Sequence, residues 1–418
     1  MDFIKTPVKG MPEQMPNDME VREFALRKIK DTYKKFGFMQ ISTPYIEHIE
    51  NLTNKQGGEN ETLIFKIMKR GEKLTKADSV EDMCDSGLRY DLTVPLARFY
   101  ANNNDNLPSP FKALQIGDVF RADRPQKGRF RQFTQCDIDI LGDSSNLAEI
   151  ELISATANML NELGIKELKV RVNDRNILKA MALACNFPED QLGTIYIILD
   201  KIDKIGIDGV KKCLLDAGLN EVDVENYCKF FDNLNDNIDC KEFLNTKLKG
   251  FLADEVIENL NQIISCASNI VSKDCQIVFD PTLVRGMGYY TGPIFEIELK
   301  NYHASVAGGG RYDKMIGKYC NKEVCACGFS IGFERIISVI KENNLLAVEQ
   351  TEKIAVLIAK DVDSKKIQQT IKRANELRSQ GKTVMLLPRN SNAKFQKEKL
   401  SNFGVTEFVE IFNDKGSL

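Results

Sequence analysis

The sequence predicts an α+β protein in which a mainly antiparallel sheet is flanked by helices, with a helical insertion and a small C-terminal α/β domain. Three observations lead to this fold class. Two long strand-like segments between residues 111 and 141 are separated by a basic loop, residues 173–274 have a helical pattern, and strands alternate with helices from residue 353 onwards.

The first predicted element is an amphipathic helix. Its apolar residues recur at steps of three to five until Gly37 ends the pattern, namely Val21, Phe24, Ile29, Tyr33 and Phe36. Asn17 and Glu20 have the spacing of a capping box at its start. The segment GFMQISTPYIE that follows is predicted to be a strand, and its Pro44 indicates an edge or an interface.

The next predicted elements are a hairpin and a second helix. The segments FKALQIGDVFRADRP and FRQFTQCDIDILG should pair as antiparallel strands with an unusually long connection. Leu147 to Gly164 has a helical pattern, with one apolar stripe formed by Ile150, Ile153, Ala157 and Leu160.

The remaining elements are an insertion, a return to strands and a separate unit. We expect the helical insertion at about residues 173–274. After it, QIVFDPTLVRGMGYYTGPIFEIEL is strand-like, HASVAGGGRYDKMIGKY is predicted to be a strand and a turn, and GFSIGFERIISVIKENN a strand leading into a helix. A boundary near residues 344–352 then separates a first domain, residues 1–345, from an α/β unit at residues 352–418.

Composition excludes several classes of protein. The chain has a net charge of −3, and no apolar stretch approaches the roughly 20 residues of a membrane span. Its first residues lack a signal-peptide pattern, so we expect a cytoplasmic protein without membrane association. Among 11 cysteines the nearest approach to a metal pattern is Cys320, Cys325 and Cys327, which favours structural thiols, so no side-chain metal site is assigned. With only His48 and His303, we expect chemistry that relies on arginine, carboxylates, tyrosine and bound metal.

The densest charged patch lies between the two hairpin strands. FRADRPQKGRFRQF brings together five cations, Arg121, Arg124, Lys127, Arg129 and Arg131. Because the chain as a whole is acidic, a polyanionic partner would have to be met by a local patch of this kind. A solvated surface loop is the alternative.

Polar side chains follow one face of the second hairpin strand. Gln135, Asp137 and Asp139 alternate with apolar residues, so that Gln135 and Asp139, about 13 Å apart, could bracket a small ligand. A solvent-facing strand is the alternative. In LRYDLTVPLARF, Asp91 and Thr93 are also two residues apart and are predicted to share a face that suits an ammonium group.

Glycine-rich segments contribute further candidate residues. LVRGMGYYTG places Arg285 before a glycine and just ahead of Tyr289 and Tyr290. A buried arginine can neutralise developing phosphate or carboxylate charge. AGGGRYD and GFSIGFERI add glycines that admit a flat or phosphorylated ligand, with Arg335 at a strand-to-helix transition.

In order, spacing and identity these motifs resemble those of the class II aminoacyl-tRNA synthetases, and within that class the histidine–tRNA ligases. FRADRPQKGRFRQFTQCDID is similar to the second motif of the class, and LVRGMGYYTGPIFE to the histidine-specific segment. The resemblance runs from PVKGMPEQMPNDM to the helix after Arg335, apart from the insertion, and is weaker in the C-terminal unit. It implies a class II catalytic domain, a homodimer with Pro44 near its interface, and an anticodon-binding-like C-terminal domain. This chain departs from the family by ending at NDKGSL after TEFVEIF, so we expect that domain to be shortened.

The resemblance also implies a ligase of protein biosynthesis that attaches histidine to tRNA(His) through a histidyl-adenylate, with ATP and Mg2+ as cofactors. Histidine would be held at its α-ammonium by Asp91, Thr93 and Gln135, and at its imidazole by Asp139 and Tyr290, with Tyr289 lining the pocket. A carboxylate opposite a phenol can contact both edges of a neutral imidazole, which is a donor on one side and an acceptor on the other.

Phosphate and tRNA contacts follow from the same resemblance. Arg121 and Arg335 would clamp ATP, and Arg285 would balance charge at the reacting carboxylate and α-phosphate, so that Arg285 and Arg121 are the expected catalytic residues. The acceptor end of tRNA would be contacted by Gln126, Lys127 and Arg129, and the insertion would clasp the acceptor arm.

Two other functions remain open from the sequence. A non-catalytic, histidine-sensing paralogue, such as the regulatory subunit of ATP phosphoribosyltransferase, resembles the synthetase. Such paralogues tend to lose the ATP arginines and the loop from Gln126 to Arg131, both of which are present in this chain. A purely structural dimer would have no reason to keep the candidate histidine-binding residues together.

Overall fold

The computed structural model describes residues 3–53, 60–79, 82–125, 130–232, 234–236, 238–285, 288–300, 304–320, 322–345 and 352–418. The chain forms two compact units, one of Met1–Glu13 with Ala25–Leu345 and one of Gln14–Phe24 with Leu346–Leu418. In the described part of the chain, no helix combines the length and apolar character needed to cross a membrane. The functional domains expected from the sequence stay predictions.

The strands before residue 345 are, in chain order, β1 (Met39–Ile41), β2 (Ile46–His48), β3 (Lys66–Met68), β4 (Cys84–Leu88), β5 (Phe111–Phe120), β6 (Gln132–Leu141), β7 (Leu168–Asp174), β8 (Cys275–Phe279), β9 (Pro293–Leu299), β10 (Ala304–Arg311) and β11 (Ala326–Gly332). Eight of them form one sheet in the order β1-β5-β6-β11-β10-β9-β7-β8. Neighbours are antiparallel except for the parallel edge pairs β1–β5 and β7–β8. A smaller antiparallel sheet has the order β2-β4-β3.

The helices in the same part of the chain are α1 (Pro16–Lys35), α2 (Ile49–Thr53), α3 (Glu72–Thr75), α4 (Thr93–Asn103), α5 (Leu147–Glu162), α6 (Arg175–Ala184), α7 (Leu192–Leu199), α8 (Ile202–Asp216), α9 (Glu221–Cys228), α10 (Cys240–Lys247), α11 (Asp254–Ile270), α12 (Asp313–Cys320) and α13 (Phe333–Glu342). Short 3-10 helices lie at Asn60–Leu63, Asn104–Asn106, Glu189–Gln191 and Lys229–Phe231. Helices α6 to α11 connect β7 to β8, in the region where the helical insertion is predicted.

The predicted hairpin and the two predicted early helices are confirmed. Strands β5 and β6 pair antiparallel from Phe111 opposite Leu141 to Phe120 opposite Gln132. Helix α5 buries the predicted apolar stripe of Ile150, Ile153, Ala157 and Leu160. Each large apolar side chain removed from water contributes about 1.5–3 kcal/mol, so this stripe holds the helix against the core.

Two local predictions about helices are wrong, and the strand predicted in GFMQISTPYIE is two short strands, β1 and β2, in different sheets. Helix α1 begins at Pro16 and not after a cap at Asn17, because proline lacks the N–H that the first helical position would leave without a partner. The turn predicted after β10 is helix α12, which buries Met315 and Ile316 against the core cluster that also contains residues of α4. Gly317 in the middle of this helix weakens its sequence pattern.

The smaller unit is an α/β layer structure. Its elements are β12 (Lys353–Ile358), α14 (Ser364–Ser379), β13 (Thr383–Pro388), α15 (Ala393–Ser401) and β14 (Glu407–Ile411), and its parallel sheet has the order β13-β12-β14. Its core contains Ile354, Val356, Ala374, Leu377 and Ile411. The predicted alternation of strands and helices is confirmed.

Candidate active site

A cavity of about 630 Å³ lies on one face of the large sheet. Its floor comes from β6, β9, β10 and β11, and its walls from the start of α4, from the loop between β8 and β9, and from residues 200–204 of the helical region. The structure brings together around it nine of the residues predicted for the site: Asp91, Thr93, Arg121, Gln135, Asp139, Arg285, Tyr289, Tyr290 and Arg335. The other three, Gln126, Lys127 and Arg129, lie outside the described residues. The individual roles stay predictions.

Strand β6 is buried on both faces, so the alternative of a solvent-facing strand is wrong. Gln135, Asp137 and Asp139 point into the cavity, and they are 9%, 4% and 4% exposed. The alternating residues Ile138 and Ile140 lie in the core behind them. Burial of a polar group costs free energy unless the group forms hydrogen bonds, so the polar side chains of this strand are expected to have hydrogen-bond partners.

Asp139 is held by a tyrosine that the sequence analysis did not identify. The hydroxyl of Tyr312 donates to Asp139 Oδ1 at 2.6 Å. Burial raises the pKa of Asp139 to about 7, with the bond from Tyr312 opposing the rise and the charge of Asp91 adding to it. Gly328, directly opposite on β11, makes room for this carboxyl, because a Cβ there would lie 2.0 Å from Oδ1.

Asp137 and Gln135 share a hydroxyl partner on the neighbouring strand. The hydroxyl of Ser330 donates to Asp137 Oδ1 at 2.5 Å, and Gln135 Nε2 donates to Ser330 Oγ at 2.9 Å. This arrangement leaves Gln135 Oε1 buried and without a hydrogen-bond partner. Burial, reinforced by the charge of Asp139, raises the pKa of Asp137 well above its usual range. Through Ser330, Asp137 fixes the orientation of the Gln135 amide.

Asp91 and Thr93 line the cavity, but they do not share a strand face as predicted. Strand β4 ends at Leu88 and helix α4 begins at Thr93, so both residues lie at a turn into a helix. Asp91 Oδ1 accepts from the backbone N–H of Val94 at 3.1 Å, whereas its Oδ2 is buried and has no hydrogen-bond partner. Burial raises the pKa of Asp91, and the bond from Val94 and the charge of Arg121 partly offset the rise.

Arg121 and Arg335 line the cavity near the start of β6, since Arg121 follows Phe120, which is opposite Gln132, and Arg335 follows Gly332, which is opposite Gln135. Arg121 Nε donates to the carbonyl of Tyr90 at 3.0 Å, and its guanidinium lies 5.1 Å from the centre of the Phe133 ring. Arg335, at the start of α13, is exposed and donates through one terminal nitrogen to the carbonyl of Ser305. Contacts to carbonyls and a ring leave the positive charges of both arginines available to an anion.

Arg285 lies flat against the sheet at a glycine. Its terminal nitrogen donates to Glu296 Oε2 at 2.6 Å, and its Nε is buried without a partner. A Cβ on Gly308 would lie 2.4 Å from the guanidinium carbon, so this glycine creates the space that Arg285 occupies. Burial opposes the positive charge, but the neighbouring Tyr290 and Glu296 outweigh it and raise the pKa of Arg285.

Tyr289 and Tyr290 form an aromatic wall with Tyr312. The ring centres of Tyr289 and Tyr290 are 4.8 Å apart, and those of Tyr289 and Tyr312 are 5.8 Å apart. Burial raises the pKa of both Tyr289 and Tyr290. Their phenols are therefore neutral near pH 7, and each can donate one hydrogen bond and accept others.

Comparison with known proteins decides the family. The family model described as histidyl-tRNA synthetase matches residues 10–336. The chain belongs to the histidyl-tRNA synthetase family. A histidine–tRNA ligase of Leifsonia xyli is 43% identical over 364 residues, which cover 80% of this chain and 80% of the relative. One of Christiangramia forsetii is 34% identical over 426 residues, covering 97% of this chain and 93% of the relative.

Solved structures agree with this assignment of a synthetase fold. The chain is similar to the histidyl-tRNA synthetase from Nostoc sp. PCC 7120, with a TM-score of 0.80 at 25% identity over 98% of this chain and 92% of that one. An ATP phosphoribosyltransferase regulatory subunit/histidyl-tRNA synthetase from Bacillus halodurans C has a TM-score of 0.79 at 18% identity, covers 98% and 99% of the two chains, and shows a shared fold alone. The predicted fold class, that of the class II synthetases, is confirmed.

Proposed function

We propose that this member of the histidyl-tRNA synthetase family attaches histidine to tRNA(His) in two steps, with ATP as the source of the activating group. Histidine and ATP first form histidyl-adenylate and pyrophosphate, and the histidyl group then passes to tRNA. The observation that carries this proposal is a pair of buried acceptors, Asp91 Oδ2 and Gln135 Oε1, that lack partners in a cavity also lined by arginines. A buried acceptor without a partner is costly, and an ammonium group has three donors to satisfy it.

The selection of histidine would come from the other end of the polar strand face. Asp139, held by Tyr312, would accept a hydrogen bond from one imidazole nitrogen, and Tyr290 would engage the other. Tyr289 would close the pocket, and Thr93 at the start of α4 would add a hydroxyl beside Asp91. An imidazole can pair with a carboxylate and a phenol at once, whereas an apolar side chain would offer neither of them a hydrogen bond.

Adenylate formation would depend on positioning and on arginine charge. A carboxylate oxygen of histidine attacks the α-phosphorus, a new P–O bond forms, and the bond to the bridging oxygen of pyrophosphate breaks. Arg285, with its buried Nε, would stabilise the charge at the reacting carboxylate and α-phosphate, and Arg121 and Arg335 would hold the triphosphate. Mg2+ would enter with ATP, because it is bound largely through the phosphate oxygens of the nucleotide.

The second step would transfer the histidyl group to tRNA. A ribose hydroxyl at the 3′ end attacks the acyl carbon, and AMP leaves. The basic loop with Gln126, Lys127 and Arg129 would contact the acceptor end, through charge to phosphate and through hydrogen bonds to bases. We further propose that the protein acts in the cytoplasm as a homodimer with Pro44 near the interface, and that the C-terminal α/β unit is an anticodon-binding domain.

The test of this function is histidine-dependent exchange of labelled pyrophosphate into ATP, with Mg2+ and without tRNA, in the wild type and in Arg285→Ala. We expect exchange that requires histidine and falls by about 100-fold or more in the variant, because a charged donor aimed at the reacting centre is removed. Histidine binding by calorimetry without any exchange would overturn the proposal in favour of a histidine-sensing protein.

A further inference from the structure

A row of directly opposed residues crosses the sheet beneath the cavity. Asp137 on β6 faces Ser330 on β11, Ser330 faces Gly308 on β10, Gly308 faces Glu296 on β9, and Glu296 faces Arg171 on β7. All five line the cavity. Since paired positions on neighbouring strands share a face, the row forms one band that ends at an arginine to which the sequence motifs assign no function.

Arg171 is buried and has several anionic neighbours. Its side chain is 8% exposed, its Nε lies 2.6 Å from Asp280 Oδ2, and one terminal nitrogen lies 2.9 Å from Asp203 Oδ2. The other terminal nitrogen donates to the hydroxyl of Thr282 at 3.2 Å. Burial opposes its charge, but Asp280 and Asp203 outweigh that effect and raise the pKa of Arg171. Arg171 is therefore a permanent cation in a fixed orientation.

Glu296 is shared between this cation and the candidate catalytic arginine. Its Oε1 lies 3.6 Å from a terminal nitrogen of Arg171, and its Oε2 accepts from a terminal nitrogen of Arg285 at 2.6 Å. An isolated arginine–carboxylate pair favours a bidentate geometry with two parallel hydrogen bonds. A bidentate pair of this kind with Glu296 would use two donors of Arg285. Because Glu296 is shared with Arg171, it accepts from only one donor of Arg285, and the Nε of Arg285 is left without a partner.

We propose that Arg171 is a positioning residue for adenylate formation. By attracting one oxygen of Glu296, it limits that carboxylate to a single bond with Arg285 and keeps the remaining donors of Arg285 for the reacting carboxylate and phosphate. Gly308 contributes from the other side, because it leaves the space in which Arg285 lies. This assignment rests on the proposed function, and it adds a residue that does not itself have to touch the substrate.

The experiment measures kcat and KM in the pyrophosphate-exchange assay, together with the thermal midpoint, for Arg171→Met, Arg171→Lys and the double variant Arg171→Met/Glu296→Gln. For Arg171→Met we expect kcat to fall on the order of 10- to 100-fold, while the KM for histidine stays within about threefold because the ammonium and imidazole contacts are intact. Should the methionine variant fail to fold, Arg171→Lys keeps a cation beside Asp280 and Asp203, but its single ammonium cannot hold these carboxylates and Glu296 together, so kcat should fall there too.

The double variant separates positioning from a merely structural effect. A glutamine at position 296 has one acceptor oxygen and cannot form two hydrogen bonds with Arg285, so the double variant should recover part of the kcat that Arg171→Met loses. Lys169→Met is the matched control: Lys169 is also on β7, pairs with Asp236 at 2.6 Å and does not belong to the cavity lining, so its removal should leave both constants unchanged.

The outcomes distinguish this proposal from the proposed function. If the wild type shows exchange but the Arg171 variants have an unchanged kcat, or if the double variant shows no recovery, the role of Arg171 is wrong. The proposed function is unaffected by that outcome. Absence of histidine-dependent exchange in the wild type would overturn the proposed function and this role with it.

Discussion

Replacing Gly308 by alanine places one methyl group where the guanidinium of Arg285 lies. The new Cβ would be 2.4 Å from the guanidinium carbon and 2.4–2.5 Å from its terminal nitrogens. Carbon atoms in favourable contact are about 3.5–4.0 Å apart, so Arg285 has to move by roughly 1 Å. The obstructing atoms are the end of a flexible side chain, and we therefore expect the fold to absorb the change with a small loss of stability.

The expected effect on catalysis is much larger than the effect on stability. A displacement of about 1 Å at a catalytic group can cost on the order of 100-fold in rate, which corresponds to about 3 kcal/mol of transition-state stabilisation. The displacement also moves Arg285 relative to Glu296, its partner at 2.6 Å. Histidine binding should change little, because Asp91, Gln135 and Asp139, which are proposed to hold the ammonium and the imidazole, are fixed by hydrogen bonds that do not involve Arg285.

The assay is steady-state pyrophosphate exchange, and the midpoint of thermal unfolding is measured for the same variants. Gly193→Ala is the control, because Gly193 lies in α7 with no heavy atom within 4 Å of an added Cβ. We expect Gly308→Ala to lower kcat by about two orders of magnitude and Gly193→Ala to leave it unchanged. A kcat for Gly308→Ala within about threefold of the wild type, with a normal midpoint, would refute the close packing of Arg285 as a requirement for catalysis.

Two further predictions concern the imidazole end of the cavity and the tRNA loop. Burial raises the pKa of Asp139 from 3.8 to about 7 in the folded chain, so the folded state binds this proton more tightly and the associated stability is lost as pH rises from about 4 to 7. Asp139→Asn should therefore gain stability relative to the wild type between pH 5 and pH 8 in urea unfolding, and a difference that is independent of pH would contradict this reasoning. Gln126→Ala and Arg129→Ala should impair tRNA charging more than pyrophosphate exchange, since adenylate formation does not involve tRNA, and equal losses in the two assays would argue against that division.

Local sequence patterns were sufficient for most elements, whereas the roles of the candidate ligand-binding residues rest on the family resemblance and stay predictions. Alternation along β6 correctly placed Gln135 and Asp139 on one face, and helical periodicity located α5. The same alternation rule failed for Asp91 and Thr93, because the chain turns between β4 and α4 and the two residues are not on a strand. A period-two argument holds only where the backbone is extended.

The residues that support the site were beyond local reasoning. Tyr312 is 173 positions from Asp139 in the sequence, and Ser330 is 193 positions from Asp137. The Ser330–Asp137 pair depends on the register of β6 against β11, and the Tyr312–Asp139 pair depends also on that of β11 against β10; no local pattern specifies either register. The glycines at positions 308 and 328 were visible in the sequence, but their purpose follows only from what lies opposite them.

The parallel pairing of β7 and β8 has a consequence for how this chain can vary. Parallel neighbours require a crossover that returns the chain to the same end of the sheet. Helix α11, 17 residues and so about 25 Å long, is enough to span the seven-residue strand β7, and α11 packs on both strands. Residues 175–253 are therefore additional to what the sheet topology needs. Related sequences could shorten, lengthen or replace residues 175–253 without altering the register of any strand. Residues 200–204 would be the part that is retained, because they form a wall of the cavity.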